Sequence, residues 1–106
     1  MEEHVFDQVA DAELHFLEEK LLAVDPDDLE VDLASGVLTL TFADDQKVIV
    51  NSHRAAGQIW LAAFRQAWHF SPHQENGHTV WRTASEELRS TLQRLVGTKL
   101  GRPFQW

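Results

Sequence analysis

Hydrophobic residues recur three or four positions apart over residues 3–24, which is the period of an α-helix. The set comprises Phe6, Val9, Ala10, Leu14, Phe16, Leu17, Leu21 and Val24. This spacing gathers them on one broad face, so the segment is predicted to be an amphipathic helix that lies on a core. The pair Asp25-Pro26 is predicted to end the helix, because the residue before a proline is pushed out of the α region.

The pattern then changes to alternation between apolar and polar residues. Residues 29–33, 37–42 and 46–51 are predicted to be strands, because they are rich in β-branched and apolar side chains with period two. Residues 34–36 and the pair Asp44-Asp45 have the composition of turns. Three strands joined by such short connections predict an antiparallel meander.

The second half of the chain is predicted to continue the sheet. Residues 58–62 favour a fourth strand, although residues 58–68 also fit a helix by periodicity alone. Residues 67–70 and 78–82 are predicted to be further strands, separated by a loop over residues 71–77.

The last third predicts a second helix. The run Thr83-Ala84-Ser85-Glu86 fits a capping box, in which a threonine hydroxyl and a glutamate satisfy free amides at a helix start. The helix is predicted to present Leu88, Leu92, Leu95 and Val96 on one face and to end at Gly97, before a tail in which Leu100, Phe104 and Trp106 pack back. We therefore predict one α+β domain over residues 1–106, a two-layer sandwich with both helices on one face of an antiparallel sheet.

The amino-acid composition limits the kinds of chemistry that the protein can carry out. The 106 residues include no cysteine, which removes disulfides, thiolate metal ligands and cysteine nucleophiles and suits a reducing compartment. The start at Met1 is acidic and lacks the features of a signal or transit peptide. No stretch approaches the ~20 apolar residues of a membrane span. We expect a cytoplasmic protein with no membrane contact.

The net charge of −8 is unevenly distributed. Residues 1–32 carry a balance of −11, whereas residues 33–106 carry +3. Such a field repels nucleic acid and attracts cations or a basic protein. A nucleic-acid-binding function is therefore excluded.

The acidic third offers candidate ligands for a metal ion. We call them the acidic ridge: Asp11, His15, Glu18, Glu19, Asp25, Asp27, Asp28, Glu30 and Asp32. Carboxylate oxygen with some imidazole suits hard metal cations, but the spacing defines no closed cage, so we expect weak, multiple and partly hydrated sites. The alternatives are that the ridge is a solvated face that confers solubility, and that His15 is a surface histidine.

The sequence lacks the residue patterns of a zinc site, a serine nucleophile and a phosphate-binding loop. The remaining histidines of the second half (His53, His69, His73 and His78) show no zinc-ligand spacing. No serine lies in a nucleophile elbow, and no glycine-rich loop could hold a phosphate. Paired carboxylates on a convex surface also lack the enclosure that acid–base catalysis requires. We therefore expect the protein not to be an enzyme.

Three segments together resemble the frataxin family, specifically the small bacterial frataxins. They are Ser35–Phe42, Val48–Asn51 and Gln58–Ala62; Asn51 ends one strand and is followed seven residues later by Gln-Ile-Trp-Leu-Ala. The resemblance implies a two-layer α–β sandwich in which the N- and C-terminal helices pack on one face of a five- to seven-stranded antiparallel sheet. It also implies binding of Fe²⁺ or Fe³⁺ on the acidic ridge, without an organic cofactor. It also implies a role in iron–sulfur cluster assembly through contacts with the cysteine desulfurase and the scaffold protein. A monomer is expected, with iron-dependent oligomers left open.

The resemblance also assigns partner-binding residues. Glu18 and Glu19 are expected to contact the desulfurase, in addition to iron. Alternation places Gln58 and Trp60 on the sheet face opposite the helices, and the family role of that face assigns the scaffold contact to Asn51, Gln58 and Trp60. The alternative for Trp60 is that the tail or Trp68 covers it.

One departure from the family thins the ridge. Residues 21–23 are Leu-Leu-Ala, where many bacterial relatives carry acids, and Pro26 interrupts the acidic run. The primary hypothesis is an iron-binding factor that regulates, or supplies iron to, iron–sulfur cluster assembly. The alternatives are ferroxidase-type iron oxidation and storage, and a metal-independent acidic docking module.

Overall fold

A computed structural model describes all residues from Met1 to Trp106. Two helices and six strands follow one another with one short 3₁₀ turn, Arg54–Ala56, before the fourth strand. The elements are α1 Glu3–Leu21, β1 Leu29–Ala34, β2 Val37–Phe42, β3 Lys47–His53, β4 Gln58–Ala63, β5 Gln66–Glu75, β6 His78–Arg82 and α2 Leu88–Leu100.

The six strands form one sheet in which every strand pairs antiparallel with its neighbour in sequence, in the order β1-β2-β3-β4-β5-β6. Both helices cover one face of this sheet, and we call the other face the open face. The predicted α+β two-layer sandwich is therefore confirmed, with six strands. The alternative of a helix over residues 58–68 is wrong, because Leu61 lies opposite Trp68 in a β4–β5 hairpin.

The core lies between the helices and the covered face of the sheet. Twenty buried hydrophobic residues form a single cluster. Helix α1 contributes Leu14 and Leu17, and the central strands contribute Leu38, Val50 and Leu61, all fully buried. Alternate residues of each strand enter this cluster, which leaves the intervening side chains on the open face.

A buried ion pair joins the two helices. Glu13 of α1 is only 5% exposed, and Arg89 of α2 donates two hydrogen bonds to its carboxylate at 2.9 and 2.8 Å. The Arg89 guanidinium also lies 3.8 Å from the centroid of the Phe16 ring. The backbone carbonyl oxygen of Arg89 accepts a hydrogen bond from Trp106 Nε1 at 2.8 Å. The pair therefore connects α1, α2 and the C-terminal tail. The prediction that Trp106 packs back onto the domain is correct.

Helix α2 continues past Gly97, so the predicted C-cap is displaced by four residues. Gly101, with φ +73°, takes the left-handed position after the helix, and its N–H bonds to the carbonyl oxygen of Gly97. A Cβ at position 97 would lie 3.3 Å from the carbonyl oxygen of Arg102. The missing side chain at Gly97 thus lets the tail turn back closely along the helix.

The predicted capping box is also in the wrong register. Thr83 Oγ1 accepts hydrogen bonds from the amides of Ser85 and Glu86, but the helix begins only at Leu88. The cap is Glu87, whose carboxylate accepts from the first-turn amides of Arg89 and Ser90.

The Glu86 carboxylate, instead of reaching back to the helix start, accepts hydrogen bonds from Trp68 Nε1, Arg94 and Thr91. These contacts lower the pKa of the Glu86 carboxyl below its usual value, and the Trp68 hydrogen bond is the largest cause. Glu86 therefore ties β5 to α2.

Strand β5 runs on through most of the segment predicted to be a loop. Residues Ser71–Glu75 pair with β6, and Pro72 lies opposite Trp81. Beyond Phe70, β5 has no pairing with β4, so its other edge is free there and the missing N–H of Pro72 costs no sheet hydrogen bond. Only Asn76 and Gly77 form the turn.

Neither helix has the length and apolar character that crossing a membrane would require.

Candidate metal-binding ridge and docking face

Helix α1 presents the first part of the acidic ridge to solvent. Asp11, His15 and Glu19 are exposed and Glu18 is half-buried. His15 Nδ1 lies 2.9 Å from the carbonyl oxygen of Asp11 and 3.6 Å from its Oδ1. Because a carbonyl oxygen can only accept, Nδ1 carries the proton and Nε2 is left as a possible metal ligand. The Asp11 backbone hydrogen bond, then the charges of Asp11 and Glu18, raise the pKa of His15.

The loop between α1 and β1 carries the middle of the ridge. Asp25 Oδ1 accepts a hydrogen bond from the amide of Asp27 at 2.9 Å, which shapes the turn around Pro26. Asp28 is half-buried and bonds to Arg102 at 2.9 Å. Asp28 is thus partly neutralised, whereas Asp27 has no cationic partner.

Strand β1 carries the end of the ridge on the open face. Glu30 lies opposite Thr41 and Asp32 opposite Thr39 on β2. Lys47 Nζ donates to Thr41 Oγ1 at 2.9 Å and forms no ion pair with a carboxylate. Both carboxylates are exposed, and they continue the acidic surface around the edge of the sheet.

The structure brings no three histidine or carboxylate side chains together in a position to hold a metal ion. The ridge side chains follow one another from α1 through the loop to β1, and each of them offers its ligand atoms singly. An ion bound here would keep water in most of its coordination positions, as hard cations with few protein ligands do. The ligand role of each ridge residue remains a prediction.

The three residues assigned to the scaffold contact lie together on the open face. Asn51 is directly opposite Trp60, and all three are half-buried. Gln58 Oε1 accepts from Trp60 Nε1 at 2.9 Å, while Gln58 Nε2 donates to Ser71 Oγ at 3.2 Å. The indole is therefore held in one orientation before any partner arrives.

Two histidines that the sequence left without a role enclose this tryptophan. His53 and His69 stack on opposite faces of the Trp60 ring, with centroids 3.9 and 4.1 Å away and interplanar angles of 17° and 12°. A partner would therefore meet the edge of the indole more than its faces. The alternation of side chains along a strand could have indicated this contact, because His53 and His69 lie on the same face as Trp60 once the strands are aligned.

The alternative in which the tail or Trp68 covers Trp60 is wrong. Trp68 lies on the covered side, packed against the core, with its Nε1 bonded to Glu86 at 2.7 Å. Trp106 packs on Phe16 of α1, on the helical side of the molecule. The open face around Trp60 thus carries only its own strand neighbours.

Sequence comparison assigns the chain to a family. A sequence profile of the frataxin-like domain matches residues 1–102. An iron–sulfur cluster assembly protein CyaY from Aeromonas hydrophila is 31% identical over 106 residues, which is 100% of this chain and 99% of the relative. The protein of the same name from Thioalkalivibrio sulfidiphilus is 38% identical over 74 residues, 70% of this chain and 69% of the relative.

Comparison with solved structures agrees. Frataxin from Psychromonas ingrahamii superposes with a TM-score of 0.83 at 25% identity, over 99% of this chain and 97% of that one. A trimeric frataxin from the yeast Saccharomyces cerevisiae, complexed with ferrous iron, has a TM-score of 0.65 at 29% identity, over 96% of this chain and 88% of that one. The curated relatives are named iron–sulfur cluster assembly proteins, and the chain belongs to the frataxin-like family.

Proposed function

We propose that this protein binds Fe²⁺ or Fe³⁺ on the acidic ridge and regulates, or supplies iron to, iron–sulfur cluster assembly. One observation carries the proposal: the ridge residues follow one another over the surface of α1, the loop after it and β1, and Asp28 alone among them forms an ion pair with an arginine. A protein that needed acids only for solubility could place them anywhere. Here, twelve of seventeen acidic residues lie in residues 1–32, and the ridge extends over one edge of the fold.

The open character of the ridge supports binding more than catalysis. Its carboxylates lie on the protein surface, where water competes with them for the ion. Weak and reversible iron binding is what such a surface offers. We infer a role without enzymatic turnover, in the cytoplasm, with iron as cargo or signal.

The same carboxylates are suited to a basic protein surface, which supports docking of the cysteine desulfurase at Glu18 and Glu19. Iron and the desulfurase would then compete for one set of charges. Such competition provides a physical route by which iron changes the rate of cluster assembly. The scaffold protein would contact the open face around Trp60, and so both partners could be bound at once.

The ridge is tested by reversing two charges. Glu18→Lys with Glu19→Lys should weaken both Fe²⁺ and desulfurase binding by about tenfold each, because close charge pairs across an interface contribute on the order of 1.5 kcal/mol or more. Anaerobic calorimetry measures both affinities. The fold should be little affected, since charges on the surface of a helix contribute little to stability.

A control with the same change in net charge is Glu3→Lys with Asp45→Lys, at exposed positions outside the ridge. This variant should bind both ligands nearly as the wild type does. Equal losses in the two variants would mean that total charge, and not the ridge, governs binding.

His15 gives the ridge a pH dependence. Since its pKa is raised, the ring stays protonated to higher pH than an ordinary histidine, and a protonated ring cannot bind a metal ion. Fe²⁺ affinity should therefore rise with pH, by up to about tenfold per unit below that pKa. Anaerobic titrations at several pH values check this, and His15→Gln should flatten the profile. A profile that is unchanged by the substitution would exclude His15 as a ligand.

A further inference from the structure

A groove lies within the acidic ridge, between the end of α1 and the edge of the sheet. It is lined by apolar residues of the α1–β1 segment and by polar residues of β1 and β2, among them Leu22, Val24, Pro26, Glu30, Asp32 and Thr41. Its volume is about 530 Å³, so a side chain of another molecule can enter it. Strand β1 is at the edge of the sheet, and no further strand covers this side. We call this feature the ridge groove.

Leu22 continues the exposed face of α1 that carries the acids. Its backbone is still helical, with φ −65°, so it follows Glu18 and Glu19 by one helical turn on the same side of the helix. Leu22 is 59% exposed, and among the large apolar residues only the terminal Met1 is as exposed. A single exposed leucine is ordinary, but apolar surface grouped in a groove and surrounded by polar residues is typical of an interaction site.

The acids that line the ridge groove have no cationic partner within the chain. Glu30 and Asp32 form no ion pair, because the ion pairs of the lysines and arginines all involve other acids. Lys47 of β3 donates to Thr41 Oγ1 and not to a carboxylate. The two glutamates one turn before Leu22 are likewise without an ion pair. The groove is therefore surrounded by negative charge that no residue of this chain compensates.

Apolar lining and negative surroundings together restrict what can dock here. A second copy of the chain would bring its own residues 1–32, with a balance of −11, against the same surface, so self-association is opposed. Anionic membranes and nucleic acids are repelled for the same reason. A metal ion gains nothing from leucine or valine side chains. A basic protein segment that carries an apolar side chain among its lysines or arginines matches both properties of the surface.

We propose that the ridge groove receives an apolar side chain of the basic protein that docks on the acidic ridge. That side chain contacts Leu22 and Val24, while neighbouring lysines or arginines of the partner lie against Glu30 and Asp32. The identification of the partner as the cysteine desulfurase rests on the proposed function. The groove thus adds a contact that only the protein partner can use, and it separates protein docking from iron binding on a shared surface.

The test places an acid in the groove. Leu22→Glu extends the acidic face of α1, so docking guided by charge alone would become tighter. With an apolar anchor at position 22, the affinity for purified cysteine desulfurase should instead fall by about tenfold, as measured by calorimetry. Anaerobic Fe²⁺ titration of the same variant should show an unchanged or higher affinity, because the ridge gains a carboxylate. Leu22→Met keeps an apolar side chain and should bind the desulfurase as the wild type does.

The matched control is Ala23→Glu. Ala23 is the next residue along the chain, is exposed and does not line the groove. Both variants have the same net charge and add a carboxylate at the C-terminal end of α1, so the effects of total charge and of the helix dipole are shared. Ala23→Glu should bind the desulfurase at least as tightly as the wild type. Since both positions are exposed, both variants should melt close to the wild-type temperature.

The outcomes separate the groove from the proposed function. Tighter desulfurase binding by Leu22→Glu, or an equal change in the two glutamate variants, would overturn the apolar anchor while docking on the ridge stands. A wild-type protein that binds no desulfurase would overturn both. Loss of Fe²⁺ binding in Leu22→Glu would also overturn the anchor, because the substitution would then have disturbed the ridge as a whole.

Discussion

Trp60→Ala is expected to lower affinity for the scaffold protein by about 30-fold or more while leaving iron binding unchanged. Buried aromatic anchors at interface centres commonly contribute at least ~2 kcal/mol, which corresponds to that factor. The expectation is strengthened by the preorganised indole, which Gln58, His53 and His69 hold in place. Little conformational freedom remains to be lost when a partner binds.

The measurement is calorimetry with purified scaffold, together with an Fe²⁺ titration of the same variant. Trp60→Phe is the matched control, because it keeps an aromatic ring between the two histidines while it removes the Nε1 bond to Gln58 and part of the ring area. It should retain most of the affinity. Loss of iron sites in Trp60→Ala would contradict the separation of the acidic ridge from the open face. Unchanged affinity for the scaffold would show that the scaffold does not dock around Trp60.

Arg89→Met should destabilise the fold by about 3 kcal/mol, at the lower end of the range for breaking a buried ion pair. The substitution leaves the Glu13 carboxylate, only 5% exposed, without its two hydrogen bonds. We choose the lower end because Arg89 itself is 41% exposed. For a domain of this size the melting temperature should fall by roughly 10–20 °C, as measured by circular dichroism.

Arg94→Met is the control. Arg94 lies on the same helix as Arg89, but its ion pair with Glu86 is more exposed, so the substitution should lower the free energy of unfolding by less than about 1 kcal/mol. Replacing both members of the buried pair, Glu13→Met with Arg89→Met, should recover most of the loss, because no charge is then left buried. Equal melting temperatures for Arg89→Met and Arg94→Met would show that the buried pair is not a structural link between the helices.

The parts of the fold that depend on local periodicity were predictable. The three- and four-residue spacing in α1 and the alternation in β1–β4 identify which side chains enter the core. The same alternation places Gln58 and Trp60 on the open face, where the structure also has them. Local patterns suffice there because each face of an element is defined by its own residues.

Features that depend on register between elements were not predictable. The stack of His53 and His69 on Trp60 requires β5 to be aligned with β4 through a two-residue turn, and Phe64-Arg65 carries none of the usual turn residues. The buried role of Glu13 depends on Arg89, 76 positions away. A signal was nevertheless present, because Glu13 lies on the apolar face of α1 beside Ala10 and Leu17.

The sheet is a strict meander, and this has a consequence for how the chain folds. Every strand pairs with its neighbour in sequence, so each hairpin closes over a short loop at low entropic cost. Low contact order of this kind is associated with rapid folding. The N-terminal helix must instead meet α2 across almost the whole chain, through Glu13 and Arg89. The late step in folding is therefore expected to be the docking of α1, the element that carries four of the nine residues of the acidic ridge.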